Sequence, residues 1–447
     1  MQASLLASLA ALAALSPGDP DLRDRVVLVN GDEERGRVIE RHHPEHLVLL
    51  QNGRRLEFPH GEVAVVETVR DRLRTFLGLR VQGLGLAAEW DLVAVATGLE
   101  LPELARAQAY HVLLRDPDHA EAHRFLGHEQ KRGKWRWVHD GKGYGRDDFD
   151  ERISAWKTRL VLPGEHFTVE TNAGLRAAVD ALFDLERLYL FWMDGLGAEL
   201  QATEDVDAPD EEEMTVRLFR EKDDRGFTEI LSSEREPYYD PSTTTATRGG
   251  NPNLAFTYFE PGSGRPLRLF DLGTQQLLYS TLVLGKTLGS APADARTRHA
   301  HWAELGLGYW VERQLHGPPG YATDRPFAME PAMARAALLR PSRRSPLRDA
   351  RHELTNLIGM EFIRFYGTRA DAPIHRAKAR AAVAFLLDAD PPVPGDGQAR
   401  GRAAFLHYVR AVFGEPRAHS SDALDEGLGG ARVEVLEEAW RAWLRSF

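Results

Sequence analysis

The sequence predicts an α+β protein with an N-terminal β module, a helical middle and a larger mixed domain. Three observations carry this. Residues 24–70 alternate apolar and polar positions between Asn-Gly turns, and residues 86–132 switch to helical spacing. Phe270–Glu312 then reads as two apolar helices joined by a small-residue loop, with strands before them and helices after. At 447 residues and 43% hydrophobic content the chain holds enough apolar material for ordinary cores in several domains. A net charge of -11 argues against a nucleic-acid binder working through general positive potential, so no nucleic-acid partner is expected. Zero cysteines excludes disulfides, thiolate zinc sites and cysteine nucleophiles together.

The run Leu5–Leu15 followed by Ser16-Pro17-Gly18-Asp19 fits a signal peptide over residues 1–18, although no Lys or Arg precedes it. Export to the periplasm, cell surface or exterior is therefore expected. The run is too short to span a bilayer, and no later stretch reaches the ~20 apolar residues of a transmembrane segment.

In residues 24–70, NGD (30–32) and QNGR (51–54) supply hairpin turns in which Asn and Gly accept positive φ. The strands between them predict a small β-barrel, similar to modules that precede larger domains in exported bacterial proteins. Residues 86–150 predict a helical adaptor. The piece LARAQAYHVLLRDPDHAEAHRFLGHEQKRGKW (104–135) resembles a tetratricopeptide tail, with Asp116-Pro117 as the turn between helices. One clear unit is too few for a solenoid, so the helices are expected to pack on neighbours, with Trp135 and Trp137 as anchors.

From residue 160 onward, HFTVETN (166–172), TVRLFR (215–220), GFTEIL (226–231) and LAFTYF (254–259) read as strands. Residues 175–197 carry the three-and-four apolar spacing of a helix, and the acidic stretch 203–214 reads as a solvated loop. After residue 320 a helical lobe is expected, with helices over 346–366, 373–388, 399–413 and 420–446, broken at PPVPGDG (391–397).

The two central helices carry the chemistry. The first reads DLGTQQLLY (271–279) and the second WAELGLGYWVE (302–312). They resemble the zinc-site helices of the peptidase MA-like gluzincin metallopeptidases, whose patterns run like HEATHQLLY and WLAEGLAEYFE. Thr274, Gln276, Leu277, Leu278 and Tyr279 match the first; Trp302, Gly306, Leu307 and Glu312 align the second. The resemblance implies a gluzincin-like (zincin) domain over 160–447, with a mixed sheet and the motif helices in 160–316 and the helical lobe in 320–447. It also places the zinc-ligand histidines on Asp271 and Gln275, the general-base Glu on Leu272 and the third ligand on Leu305. A register shifted by one residue would offer Glu304 instead, at the cost of the Trp302 and Gly306 matches.

Leucine has no lone pair for a metal and cannot take a proton from a zinc-bound water, so these substitutions remove both site and base. No cofactor is expected here, although active relatives use zinc. The resemblance implies a non-catalytic protein of the bacterial envelope or exterior that binds a protein or peptide in a retained groove, with Gln276, Tyr279, His301 and Glu304 as groove candidates. Two other readings stay open. One is an active hydrolase with a relocated metal site built from some of Asp271, His299, His301, Glu304 and His352. The other is a structural envelope component whose N-terminal modules carry the interaction.

HELTN (352–356) is a zincin motif with its last His replaced by Asn356, a poor zinc ligand, and Leu354, Leu357, Ile358 and Phe362 make its helix a packing helix. His299 and His301 read as a solvated pair, and the arginine-rich segment 335–351 as a basic surface loop. No GxSxG or glycine-rich phosphate loop stands in a strand-to-helix context.

Overall fold

In the computed structural model the chain divides into two units, Met1–Gly143 and Tyr144–Phe447. The structure describes residues 23–40, 45–52, 54–80, 84–201, 214–221, 238–239, 254–259, 266, 268–282, 300–315, 331–342, 345–348, 353–360, 365, 371–393, 400–414 and 420–447. The expected signal peptide, the acidic stretch 203–213, the strand expected over 226–231, His299, His352 and Phe362 lie outside the described residues.

The first unit opens with five antiparallel strands, β1 (Asp24–Leu28), β2 (Glu33–Glu40), β3 (His46–Gln51), β4 (Arg54–Pro59) and β5 (Val63–Glu67). Their alternation places Val26, Leu47 and Leu49 in a core, with Val38, Leu56, Phe58 and Val66 packed against it. The sheet order is β4-β3-β2-β1-β5, so β4 and β5 are opposite edges although only the 3-10 turn His60–Glu62 separates them in sequence. The expected small β-barrel is thus corrected to an open sheet. The 3-10 turn replaces the hairpin that would have paired β4 with β5, and β5 pairs with β1 instead. The Asp24 carboxylate accepts from Val38 N (2.9 Å) and Val69 N (2.7 Å), tying the irregular end of β2 to the start of helix α1 (Val69–Leu79). Thr68 and Asp71 cap that helix reciprocally.

Helices α2 (Leu86–Gly98) and α3 (Pro102–Arg115) form an antiparallel pair, followed by the short α4 (Ala120–Phe125). The adaptor expected over 86–150, with helical spacing to residue 132, is helical as far as Phe125, and the chain then turns into a meander of β6 (Glu129–Lys131), β7 (Lys134–His139) and β8 (Lys142–Tyr144). The cause is local. Arg132-Gly133 (φ 53° and 78°) and Asp140-Gly141 (φ 50° and 69°) both carry two consecutive positive φ values, the geometry of tight two-residue hairpins. Trp137 is buried in this meander.

The second unit begins with α5 (Arg146–Ile153) and a mixed sheet of β9 (Leu160–Pro163), β10 (Phe167–Thr171), β11 (Met214–Phe219), β12 (Tyr238–Tyr239) and β13 (Leu254–Tyr258). The order is β12-β13-β11-β10-β9, parallel from β10 through β11 to β13, with antiparallel edges. Helix α6 (Leu175–Asp194) lays Val179, Leu182, Leu185 and Leu188 into the core, and α7 (Leu196–Gln201) follows it. Glu186 of α6 accepts from His166 N (2.8 Å), Phe167 N (3.2 Å) and the His166 ring (2.8 Å), which pins the β9–β10 turn onto the helix. Helices α8 (Leu269–Leu282) and α9 (His301–Leu315) come next. They are followed by α10 (Pro331–Leu338), α11 (Glu353–Ile358), α12 (Ala372–Ala384), α13 (Gly401–Gly414), α14 (Ser420–Gly427) and α15 (Glu437–Arg445).

Two of the expected helices are broken. Among the described residues the helix expected over 346–366 is interrupted: Pro346–Arg348 is a 3-10 turn, and α11 stops before Gly359. In place of 420–446, Gly429 and Gly430 (φ 71° and 83°) separate α14 from α15. Among the described residues no helix is long and apolar enough to cross a membrane.

Candidate functional site

Helix α8 is buried on nearly every side, from Leu269 through Tyr279, so each polar group on it must find a partner within the protein. Asp271 (3% exposed) does so within its own helix: Oδ2 accepts from Arg268 Nε (2.5 Å), the rest of that guanidinium pairs with it, and Oδ1 accepts from Gln275 Nε2 (3.0 Å). Arg268 sits at φ 57° in the turn leading into the helix. Across from it, α9 brings Gly308 so close that a side chain there would overlap the Asp271 carboxylate. The Asp271 carboxylate is thus held by a guanidinium and an amide. Gln276 points away, donating to Thr215 O of β11 at 3.0 Å.

Further along the same pair of helices, a second network forms. Tyr279 OH donates to Glu304 Oε1 (2.5 Å), and His301 Nδ1 lies 3.1 Å from Glu304 Oε2. All three residues are largely buried. Glu304 and Gly308, one turn apart, therefore define the face of α9 turned toward α8. Residue 305 lies about 100° around the helix from 304. Leu305 is buried, as is Leu272. The rotation of α9 is set on its far side, where a Cβ at Gly306 would meet Ala379 O of α12 at 2.7 Å. Trp302 donates to Tyr408 OH (2.9 Å), and burial together with the Glu304 charge pushes that phenol above its usual range.

The sequence-derived residues thus fall into separate groups: Asp271 with Gln275, Tyr279 with Glu304 and His301, and Gln276 with the sheet. Of the five residues considered for a relocated metal site, His299 and His352 lie outside the described residues, and Glu304 and His301 are bonded apart from Asp271. Among the described residues no group of three or more His, Asp or Glu side chains is placed to hold a metal ion. The donor set at the motif positions does not fit zinc. The one carboxylate is already held by Arg268 and Gln275, Gly308 closes its open side, and Leu272 and Leu305 offer no lone pair.

Sequence reasoning missed a buried polar stripe on α12. Asp371, His375 and Lys378 stand four and three residues apart on an otherwise Ala-rich helix, a spacing that puts them on one face. Asp371 accepts from Ser342 N (2.7 Å) and Ser342 Oγ (2.6 Å); His375 Nε2 lies 2.8 Å from Ser345 Oγ; Lys378 donates to Ala337 O and pairs with Glu353. The segment expected to be a basic surface loop is in this way fastened to the core, with Ser345 and Leu347 buried. The Glu353 of the HELTN motif is likewise occupied by Lys378, and Leu354, Leu357 and Ile358 form the buried stripe of α11.

No protein-family model matches this chain, and no curated protein matches its sequence.

Proposed function

We propose that this chain is an exported, non-catalytic relative of the gluzincin metallopeptidases that binds a protein or peptide. The observation that supports it best is the closure of the motif face. In a metallopeptidase, the positions of Asp271 and Gln275 would direct lone pairs to an ion and leave room for its water. Here the Asp271 oxygens are bonded to Arg268 and Gln275, and the backbone of Gly308 fills the remaining space. Leu272 and Leu305 add apolar packing where a base and a ligand would stand. The scaffold that would present a peptide is of the kind this reading needs. Among the described residues β12 is an antiparallel edge strand, and an extended chain can add to such an edge through main-chain hydrogen bonds. The Leu5–Leu15 run is the ground for export.

The test is the metal content of protein purified from zinc-supplemented cells, with casein hydrolysis measured alongside. The expected result is zinc well below one per chain and no chelator-sensitive proteolysis. One tightly held zinc per chain with proteolysis abolished by chelator would overturn the reading in favour of a relocated metal site.

A further inference from the structure

We propose that Ser345 and His375 form a nucleophile–base pair that accepts an acyl group from an ester. The pair uses none of positions 271, 272, 275 and 305: the zinc-peptidase chemistry stays absent, and the dyad replaces the non-catalytic part of the reading above with a separate ester chemistry.

The argument begins with the histidine tautomer. His375 Nδ1 lies 2.9 Å from Phe365 O, and a carbonyl only accepts, so Nδ1 carries the proton. In the neutral ring Nε2 is then a lone pair, and the hydroxyl 2.8 Å away must donate to it: Ser345 Oγ–H points at His375 Nε2. Nucleophile, base and a third group orienting the base are therefore in the order that activates a serine. Burial holds the pKa of His375 below its ordinary value, outweighing the Phe365 carbonyl and Asp371, which act against it, while nearby Lys378 acts in the same direction, so the ring is neutral and able to take a proton at pH 7.

The neighbours sharpen the contrast. Asp371, on the same face, accepts from the Ser342 hydroxyl, but a carboxylate is a much weaker base than a neutral imidazole, and Lys378 meets a carbonyl and a carboxylate. Among the described residues of this stripe, His375 is the one that joins a neutral nitrogen base to a hydroxyl. Leu347 N also donates to Ser345 Oγ at 3.2 Å, which stabilises negative charge developing there. Ser345 keeps 8% of its surface against 2% for His375, so the serine is the more open member. The Phe365 ring stands edge-on to His301 (5.4 Å between centroids) and 5.9 Å from the His375 ring, placing the dyad one aromatic side chain from the Tyr279–Glu304–His301 network.

The reaction closes in atoms and protons. Ser345 Oγ bonds to the ester carbonyl carbon as its proton moves to His375 Nε2. The carbon–oxygen bond to the alcohol breaks, and that proton leaves on the alcohol. Water then attacks the acyl-serine, giving its proton to His375, which returns it to Ser345 as the carboxylic acid departs.

The full-length chain would be treated with a fluorophosphonate probe, the modified residue located by peptide mass mapping, and p-nitrophenyl acetate hydrolysis followed in parallel. The expected result is an adduct on Ser345 in the folded protein that disappears in urea and in Ser345→Ala. In His375→Gln labelling should slow by about a hundred-fold, while Ser342→Ala labels like the parent. Should His375→Gln fail to fold, the parent protein decides: its labelling rate must fall as acid protonates His375. An unlabelled Ser345 in the folded parent, a rate indifferent to pH and to His375→Gln, or equal labelling in urea would each overturn the proposal and leave the pair a purely structural staple.

Discussion

The backbone of Gly308 lies against the side chain of Asp271: a Cβ built at 308 would overlap the carboxylate and approach the Asp271 Cα to 2.9 Å. Two helices meet at this point with no space for a methyl group, and the carboxylate cannot swing aside because Arg268 and Gln275 hold both of its oxygens.

Gly308→Ala should therefore destabilise the second unit by about 1–3 kcal/mol, the ordinary cost of overpacking, despite the better helix propensity of alanine. Asp271→Ala alone should also destabilise, because it leaves the Arg268 and Gln275 donors without their acceptor. In the double variant the collision with the carboxylate is gone, so the combined loss should be smaller than the sum of the two single losses. Urea unfolding of the four proteins measures this. Additive losses, or a Gly308→Ala protein as stable as the parent, would show that the two groups do not press on each other.

The motif helices were legible because twelve or more residues of apolar periodicity survive any single substitution, and strands β10, β11 and β13 were legible as short apolar runs bounded by turns. What faces what was not. Whether residue 304 or 305 turns toward α8 depends on the rotation of α9, and that is fixed by Gly306 against Ala379 and Val383 of α12, more than seventy residues later. Likewise Ser345 and His375 are 30 residues apart, so no local pattern joins them. The hairpins of the β6–β8 meander were within reach, since Asp140-Gly141 is a strong turn signal, but it lay inside a segment read through its helical neighbours. The open edge of the first sheet was out of reach, because alternation in β4 and β5 shows that both are strands and not which partners they take.

A second prediction concerns acid. His123 Nε2 lies 2.7 Å from Pro117 O and so carries a proton, which leaves its Nδ1 to accept from His128 Nδ1–H at 2.7 Å. His128 Nε2 is then a buried lone pair with no partner among the described residues, enclosed by Trp137, Tyr110 and the His123 ring, itself stacked on Trp135. Burial, helped by His123 and Arg106, pushes His128 down from 6.5 to about 4. The unfolded chain thus binds a proton between these values that the folded chain does not. Stability is full above pH 6.5 and is lost as pH falls toward 4, by about 3 kcal/mol for this group. His128→Asn, whose amide can still donate to His123 Nδ1, should flatten the slope for the first unit. Urea midpoints from pH 4 to 7 check this; an unchanged slope in His128→Asn would assign the acid sensitivity elsewhere.

The C-terminal helix should respond with the opposite sign. Glu437, at the start of α15, accepts from Leu354 N (2.6 Å) and Thr355 N (3.2 Å) through Oε1, capping the first turn of α11, and Arg441 reaches Oε2 at 3.4 Å. Burial outweighs these donors and pushes the carboxyl up to about 7. Asp388 is raised to about 6, again chiefly by burial, even though Trp310 Nε1 donates to it at 2.7 Å. For both groups the folded chain binds a proton that the unfolded chain has released, so their contribution is complete below the usual carboxylate range and is lost as pH rises through 6 to 7. For Glu437 the loss amounts to about 3 kcal/mol. Glu437→Gln keeps an acceptor for the α11 amides while removing the titration. It should therefore cost little at pH 5 and raise the urea midpoint of the second unit at pH 8 relative to the parent. Raising pH from 5 to 8 thus acts with opposite signs through His128 in the first unit and through Glu437 and Asp388 in the second, and Glu437→Gln removes its own share without touching that of His128. A Glu437→Gln protein less stable than the parent at pH 8 would mean that the carboxylate is charged and held by Arg441 and the α11 amides, with burial the weaker influence.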